Sequence, residues 1–389
     1  MMNGSRKIVV VGSSIAGLMT SIALKRKSDV PIRILEKGSR SNKKGTYVGL
    51  WTPAIACLQS LGLYTPLADA FEPVIRSCYK SKFGRILLEP TNGLRDPRVQ
   101  SMHNFQPTRE SSKGSNTNVN TKEINLNHPS LMFINEDFLL DTLTDIAVNE
   151  YGVEISYDTE VTDLVPCEST SSCKVITSSS PSSYSSESGT ECGSSGKDNT
   201  FATNEIDAHL VVAADGCFST VRRIIRSDSS CVVHHETDND RSSNYSSKLV
   251  HDRGYTVCRG YTNHRLSDLS FQTWGAGCRF ACVPVKHING DIGNAWFAAI
   301  SNHKMTTMIE GQRRAGNGGL RVALGEFFKS YHDPITKLID HTEGHIRVDR
   351  SWATKEVEKM NSYYIRTDLR VVFVGDAAHT MDPILAQGR

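Results

Sequence analysis

The 389-residue sequence has no apolar run longer than a strand, which excludes a membrane-spanning helix. It also has no excess of charge of one sign. Lys+Arg 44 against Asp+Glu 42 leaves a net charge of +2, so the balance points neither to nucleic acid nor to an anionic membrane surface. The ten cysteines show no Cys-x-x-Cys and no paired spacing, which argues against a zinc site or a disulfide framework. Thiols in a reducing compartment follow, and the location expected is cytoplasmic, or an organelle if an N-terminal extension is missing. Near the N-terminus, "KIVVVGSS" turns into Gly-Ser too soon for a signal peptide. Internal repeats, a Ser-His-Asp arrangement and a pair of catalytic carboxylates are not readable either. No metal site is expected, and the polar-tract histidines His234 and His235 read as solvent-exposed.

What is present is a βαβ unit. Ile8 to Val11 forms a β-branched run suited to a buried parallel strand, and Ile15, Leu18, Met19 and Ile22 follow at helical spacing. Ile32 to Leu35 supplies the next strand, ending at Glu36. A helix opened by Pro53 closes near Gly62. Another, with Leu139, Leu143 and Ile146 on one face, takes Asn135 as N-cap and Gly152 as stop. "VEISYD" alternates as a strand. Residues 91–130 and 228–248 read as polar loops. The Ser-rich tract 167–200, broken by a short strand-like "KVIT", cannot bury enough apolar area to offset its ordering entropy and should be mostly disordered. From Tyr255 to Ile300, "YTVCRGY", "FQTWGAGCRFACVPV" and "NAWFAAI" read as an antiparallel sheet, with Cys278 and Cys282 on one strand face. Helices over "LGEFFKSY" and "PITKLID" and a closing strand "RVVFVGD" follow.

Three strand-end signals carry chemistry. The first is Gly12-Ser13-Ser14-Ile15-Ala16-Gly17, between a buried strand and a helix. Such a turn lets backbone approach a pyrophosphate, whose charge then sits on the helix N-terminus. Ser14 stands where a glycine is expected. Glu36, nineteen residues after Gly17 and followed by Lys37, is placed to accept the ribose hydroxyls of an adenosine. The second signal is Asp215-Gly216 after Leu210 to Ala214, with a helix carrying Val221, Ile224 and Ile225 inward. The third is Gly375-Asp376, again ending a buried strand, where glycine leaves room for a ligand and the aspartate can take a sugar or ribityl hydroxyl.

In this order the three signals resemble the single-component (group A) FAD-dependent monooxygenases, or aromatic hydroxylases. The middle sheet is most similar to zeaxanthin-epoxidase-like and urate-hydroxylase-like members. The resemblance covers most of the chain. It implies an α/β fold: a Rossmann-like FAD-binding domain built from residues 1–75, 131–228 and 365–389, interleaved with an antiparallel β-sheet substrate domain of residues 76–130 and 249–364. It implies that Asp376 binds the ribityl chain, that Pro383 to Gly388 passes beside the isoalloxazine, and that Asp215, Gly216 and Arg222 contact the nucleotides. A solvated helix position for Arg222 stands as the alternative. Three departures accompany the likeness. Glu136 stands where an arginine near the FAD phosphates is usual, so that its carboxylate would repel the pyrophosphate; Ala386 replaces a glycine; and the chain stops at Arg389, where a further helix would begin, which reads as a truncation.

The chemistry implied is reduction of FAD by NADPH or NADH, then reaction with O2 to a C4a-hydroperoxyflavin that hydroxylates or epoxidises a small aromatic or unsaturated substrate. One glycine fingerprint suits a nicotinamide cofactor that binds transiently. Arg259, Tyr261, Gln272, Trp274, Arg279 and Trp296 lie on the expected sheet and could line a substrate pocket, against a core role for each aromatic. His379 is expected to cap or pack at its turn. Two alternatives stay open: a flavin oxidoreductase without oxygen insertion, and a catalytically incomplete FAD-binding fragment.

Overall fold

A computed structural model of the chain describes residues 7–41, 45–89, 131–167, 172–179, 202–225, 250–315, 319–354, 365–366 and 370–382. The expected loops 91–130 and 228–248, with His234 and His235, fall outside these residues, as do Pro383, Ala386 and Gly388.

A six-stranded sheet runs in the order Ile365–Arg366, Val371–Phe373, Leu210–Ala213, Ile8–Val11, Ile32–Leu35, Glu154–Ser156. All neighbours are parallel except the first pair. Because side chains alternate along a strand, Ile8 and Val10 join one core with Leu18, Ile22, Leu139 and Leu143 of the helices Ile15–Lys25 and Glu136–Asp145. Val9 and Val11 face the other way. The second helix is capped as expected, the Phe138 amide donating to Asn135 Oδ1 at 3.0 Å, and Gly152 turns with φ +62°.

The face holding Val9 and Val11 is covered by a three-stranded antiparallel sheet, Thr159–Cys167, Ser172–Ser179 and Ala202–Ala208. This corrects the expectation of disorder for part of the Ser-rich tract. Ser172–Ser179 is longer than "KVIT" and pairs on both sides. Period-two burial accounts for it: Cys173, Val175 and Thr177 point inward, while Lys174 pairs with Glu205 at 2.9 Å. Serines at the remaining positions fit an outward face.

A seven-stranded sheet runs in the order Arg347–Thr354, Val250–Thr262, Ile292–Ser301, Cys278–Lys286, Ser270–Gly275, Ser77–Ser81, Ile86–Leu88. One face buries Cys258, Cys278, Phe280, Cys282, Trp296 and Ala298 under the helices Asn302–Ala315, Leu320–Phe328 and Ile335–Asp340. The last two correspond to "LGEFFKSY" and "PITKLID"; the first was not expected. At its opposite face, Val283, Val285 and Ala295 pack on Tyr47 and Phe133. These come from a small antiparallel sheet of Tyr47–Trp51, Leu131–Asn135 and Glu72–Pro73. Among the described residues the eight cysteines are free, no cluster could hold a metal ion, and no helix is long and apolar enough to cross a membrane.

Candidate functional site

The three strand-end turns meet at the C-terminal edge of the parallel sheet. Gly12 has φ +101°, and a Cβ there would come within 2.6 Å of the Ala214 carbonyl oxygen. A Cβ on Gly17 would lie 2.0 Å from the Gly12 oxygen, and one on Gly375 would lie 2.7 Å from the Ala16 side chain. Gly12 and Gly17 therefore permit a backbone spacing that a side chain would block, and Gly375 clears room for the Ala16 side chain. The Gly12 amide donates to the Leu35 carbonyl at 2.8 Å, tying the turn to the second strand.

Glu36 closes this turn. Its Oε2 accepts from the Ser13 amide at 2.8 Å and the Ser13 hydroxyl at 3.0 Å, and its Oε1 accepts from the Gly38 amide at 2.7 Å. A carboxylate has about four acceptor directions, so room for ligand hydroxyls remains. Lys37 is exposed beside it. The helix Ile15–Lys25 begins at Ser14 with no side-chain cap and no acidic residue in its first turn. Ser14 instead donates its hydroxyl to the Ala214 carbonyl at 3.2 Å. The N-terminal amides of Ile15, Ala16 and Gly17, with no side-chain cap, are the groups an anion would take.

The other two turns are tied to each other. Asp215 Oδ2 accepts from the Val221 amide at 3.1 Å, and Gly216 turns with φ +83°. Burial raises the Asp215 pKa, opposed by the Ser219 hydroxyl and the Val221 amide. Arg222 is neither solvated nor open to the surface. It is 8% exposed, its Nη1 donates to the Ala377 carbonyl at 2.7 Å, and its Nη2 donates to the Cys217 carbonyl. Arg222 therefore holds the Asp215-Gly216 loop to the turn Gly375–Ala377, which carries Asp376. The Thr380 hydroxyl, donating to the Asp376 carbonyl at 2.9 Å, tightens that turn, and the His379 amide bonds back to Gly375 at 3.0 Å. Beyond it Asp382 bonds Arg253 at 3.1 Å and the Tyr255 hydroxyl, so the segment reaches the antiparallel sheet.

Glu136 finds a place inside the fold. It is 1% exposed, its Oε2 accepts from the Thr46 hydroxyl at 2.7 Å, and its amide donates to the Thr46 carbonyl at 2.8 Å. Asp137 accepts from the Gly45 amide at 2.7 Å. The two carboxylates fasten a helix N-terminus to the strand that opens at Tyr47, where acidic groups also suit the helix dipole.

Five of the six sheet residues picked out in the sequence share one face. Strand register sets Arg259, Phe297, Ala281, Gln272 and Tyr79 in one row across the sheet. The next row holds Val257, Ala299, Arg279 and Trp274, and Tyr261 lies in the row on the other side. Trp296 does not belong here. One residue from Phe297, it points into the opposite core, fully buried, stacked on Phe280 at 5.5 Å and donating its indole N–H to Thr342 at 2.9 Å. Period two decides this, and an aromatic run does not reveal which parity faces inward.

A cavity of about 270 Å³ lies beside Tyr261, lined also by Tyr47, Asn135 and His287. The Tyr47 hydroxyl and His287 Nδ1 are 2.5 Å apart. Burial raises the pKa of Tyr47 and lowers that of His287, so both are held neutral. Sequence reasoning missed this pair, since 240 positions separate its members.

No family model matches the chain. It is 31% identical to the aurachin C monooxygenase/isomerase of Stigmatella aurantiaca over 187 residues, 47% of this chain and 39% of that protein. Over 70 residues, 18% of this chain and 16% of the relative, it is 31% identical to the FAD-dependent monooxygenase adrH of Penicillium rubens. The chain thus spans about two fifths of the length of the first relative and one sixth of the second. Among solved structures, p-nitrophenol 4-monooxygenase PnpA from Pseudomonas putida DLL-E4 superposes with a TM-score of 0.62 at 17% identity, covering 98% of this chain and 77% of that one. CtdE, crystallised with FAD and a substrate, gives 0.62 at 14% identity, with 98% and 77% covered. At these identities the structural likeness establishes the fold.

Proposed function

We propose that this chain, similar in sequence to FAD-dependent monooxygenases and sharing their fold, binds FAD and belongs to a monooxygenase that uses NADPH or NADH and O2 to oxidise a small aromatic or unsaturated substrate. One observation carries the reading: an uncapped helix N-terminus, a glycine turn that a Cβ would fill, and a strand-end carboxylate held by the turn's own amide all adjoin one another. Those groups fit a dinucleotide, with the amides of Ile15 to Gly17 on the pyrophosphate and Glu36 on the adenosine ribose. Asp376, at the tip of a turn where Gly375 clears space against Ala16, is the group for the ribityl hydroxyls. Asp215 and Gly216 line the same edge, and Arg222 holds their loop to the turn that carries Asp376. FAD supplies the oxygen chemistry when bound; the chain's own contribution is to hold it, orient the substrate and exclude water. The parallel sheet is the FAD-binding unit in this reading, and the seven-stranded sheet is the substrate unit.

The visible spectrum of the purified chain, with and without added FAD, tests the proposal. A bound flavin spectrum is expected, with affinity weakened about tenfold or more by Glu36→Gln, since a charge-assisted pair is lost. A folded protein that FAD leaves colourless would overturn it.

A further inference from the structure

The even overall charge hides one uneven stretch. Residues 75–88 carry Arg76, Lys80, Lys82 and Arg85 and no aspartate or glutamate. The fold also leaves the large apolar side chains of this stretch outside: Phe83 is 81% exposed, and Ile75, Ile86, Leu87 and Leu88 are each more than half exposed. Elsewhere among the described residues no two exposed large apolar side chains are neighbours in sequence. Single ones are ordinary on a protein surface, whereas a contiguous patch marks a contact.

Local structure gathers these residues. Ser77–Ser81 and Ile86–Leu88 form a hairpin, and Ile86–Leu88 is the outermost strand of the seven-stranded sheet. The Ser81 amide donates to the Arg85 carbonyl at 2.8 Å, and the Gly84 amide to the Ser81 carbonyl at 2.9 Å, closing the turn. Behind it, the His332 amide donates to the Lys82 carbonyl at 3.0 Å. Gly84, with φ +83°, lies so near His332 that a Cβ would come within 2.9 Å of its side chain. Phe83 is thus presented on a braced turn, with the Lys82 ammonium 5.7 Å from its ring centroid. Cross-strand pairing sets Lys80 beside Ile86 and Tyr79 beside Leu88, and the exposed Trp274 stands edge-on to Tyr79 at 5.9 Å.

Charge and register decide what the patch suits. Arg76 is taken by Glu89 at 2.8 Å, and nearby Lys337 by Asp333 at 3.0 Å. Lys80, Lys82 and Arg85 pair with no carboxylate among the described residues. A two-fold contact of the patch with itself would set these cations against each other. The register shift between Tyr79 and Lys80 is a bulge, which blunts an edge against strand addition. Unmatched bases around an apolar tip instead complement a surface that is anionic outside and apolar beneath. The outer backbone edge of Ile86–Leu88 needs polar partners, so such a contact stays at headgroup depth.

We propose that the hairpin of residues 75–88 is a docking surface for an anionic lipid bilayer. Phe83, Ile86, Leu87 and Leu88 enter the interface, and Lys80, Lys82 and Arg85 meet the headgroup anions. The inference goes beyond the proposed function and does not depend on flavin binding.

Flotation of the full chain tests it, with vesicles of phosphatidylcholine alone and vesicles in which about one lipid in three is phosphatidylserine. Binding about tenfold or more tighter to the phosphatidylserine vesicles is expected, weakening as salt is raised. Lys82→Gln with Arg85→Gln should reduce that binding more than about tenfold, since each base near an anionic surface contributes roughly fivefold. Phe83→Ser with Leu87→Ser should reduce it by about tenfold. The two pairs of substitutions change different exposed side chains, so a folding defect in one, read by circular dichroism, leaves the other as the test. No binding to either vesicle, equal binding to both, or binding that survives both pairs of substitutions would overturn the proposal. A chain that does not float but self-associates without lipid, and loses that association with Phe83→Ser and Leu87→Ser, would also overturn it and assign the patch to a second copy.

Discussion

The parallel and antiparallel sheets gather their candidate groups by different means. At the parallel sheet the working groups are mostly backbone, gathered where strands end: glycine turns, helix amides, and a glutamate whose geometry two amides define. At the antiparallel sheet they are side chains spread over a face, and strand register decides which of them share it. A strand-end site depends on close backbone spacing where its turns meet. A face site depends on parity, so a shift of one residue moves a group from floor to core.

The two tryptophans give the largest test of that contrast. Trp296→Ala empties a fully buried core position and should cost about 3–5 kcal/mol in urea unfolding. Trp274→Ala, on the exposed side of the same sheet, should stay within about 0.5 kcal/mol. Similar costs for both would break the assignment of faces. Gly17→Ala sharpens the other half of the comparison. Its Cβ would sit 2.0 Å from the Gly12 oxygen, so the turn must open, at about 1–3 kcal/mol together with a more than tenfold loss of FAD affinity. Full retention of both would mean the turn is looser than its glycines imply.

The smallest effect concerns pH. Burial holds His287 neutral in the folded chain, below its ordinary pKa of about 6.5. A depressed folded pKa contributes stability that is present above the unfolded value and is lost as pH falls through the folded value. His332 is shifted in the same direction, so the informative quantity is a difference. Between about pH 7 and 5, the chain should lose more stability than its His287→Gln variant, followed by thermal melting. Parallel curves would show that burial does not keep the His287 imidazole neutral.

The same contrast explains what could be read in the sequence. Ile8 to Val11, the helix from Ile15 and Ile32 to Leu35 were legible because each pattern is local and a glycine or an acidic residue marks its end. The antiparallel run was legible as strands, but its faces were not: Trp296 and Phe297 are adjacent aromatics with opposite surroundings. Of Ser172–Ser179 only "KVIT" was legible, because serine content obscured the full run of inward positions, Cys173, Val175 and Thr177. The helix Asn302–Ala315 was missed because its sequence is polar, with Met305 as its buried anchor. For Arg222 the solvated alternative falls because the residue is buried, and its carbonyl partner at Ala377, 155 positions away, was not readable from the sequence.

The segment from Gly375 to Asp382 is gripped at both ends, by Arg222 on the parallel-sheet side and by Arg253 and Tyr255 on the antiparallel side. Anchored to both sheets, it joins the Asp376 turn to the antiparallel sheet within eight residues of backbone.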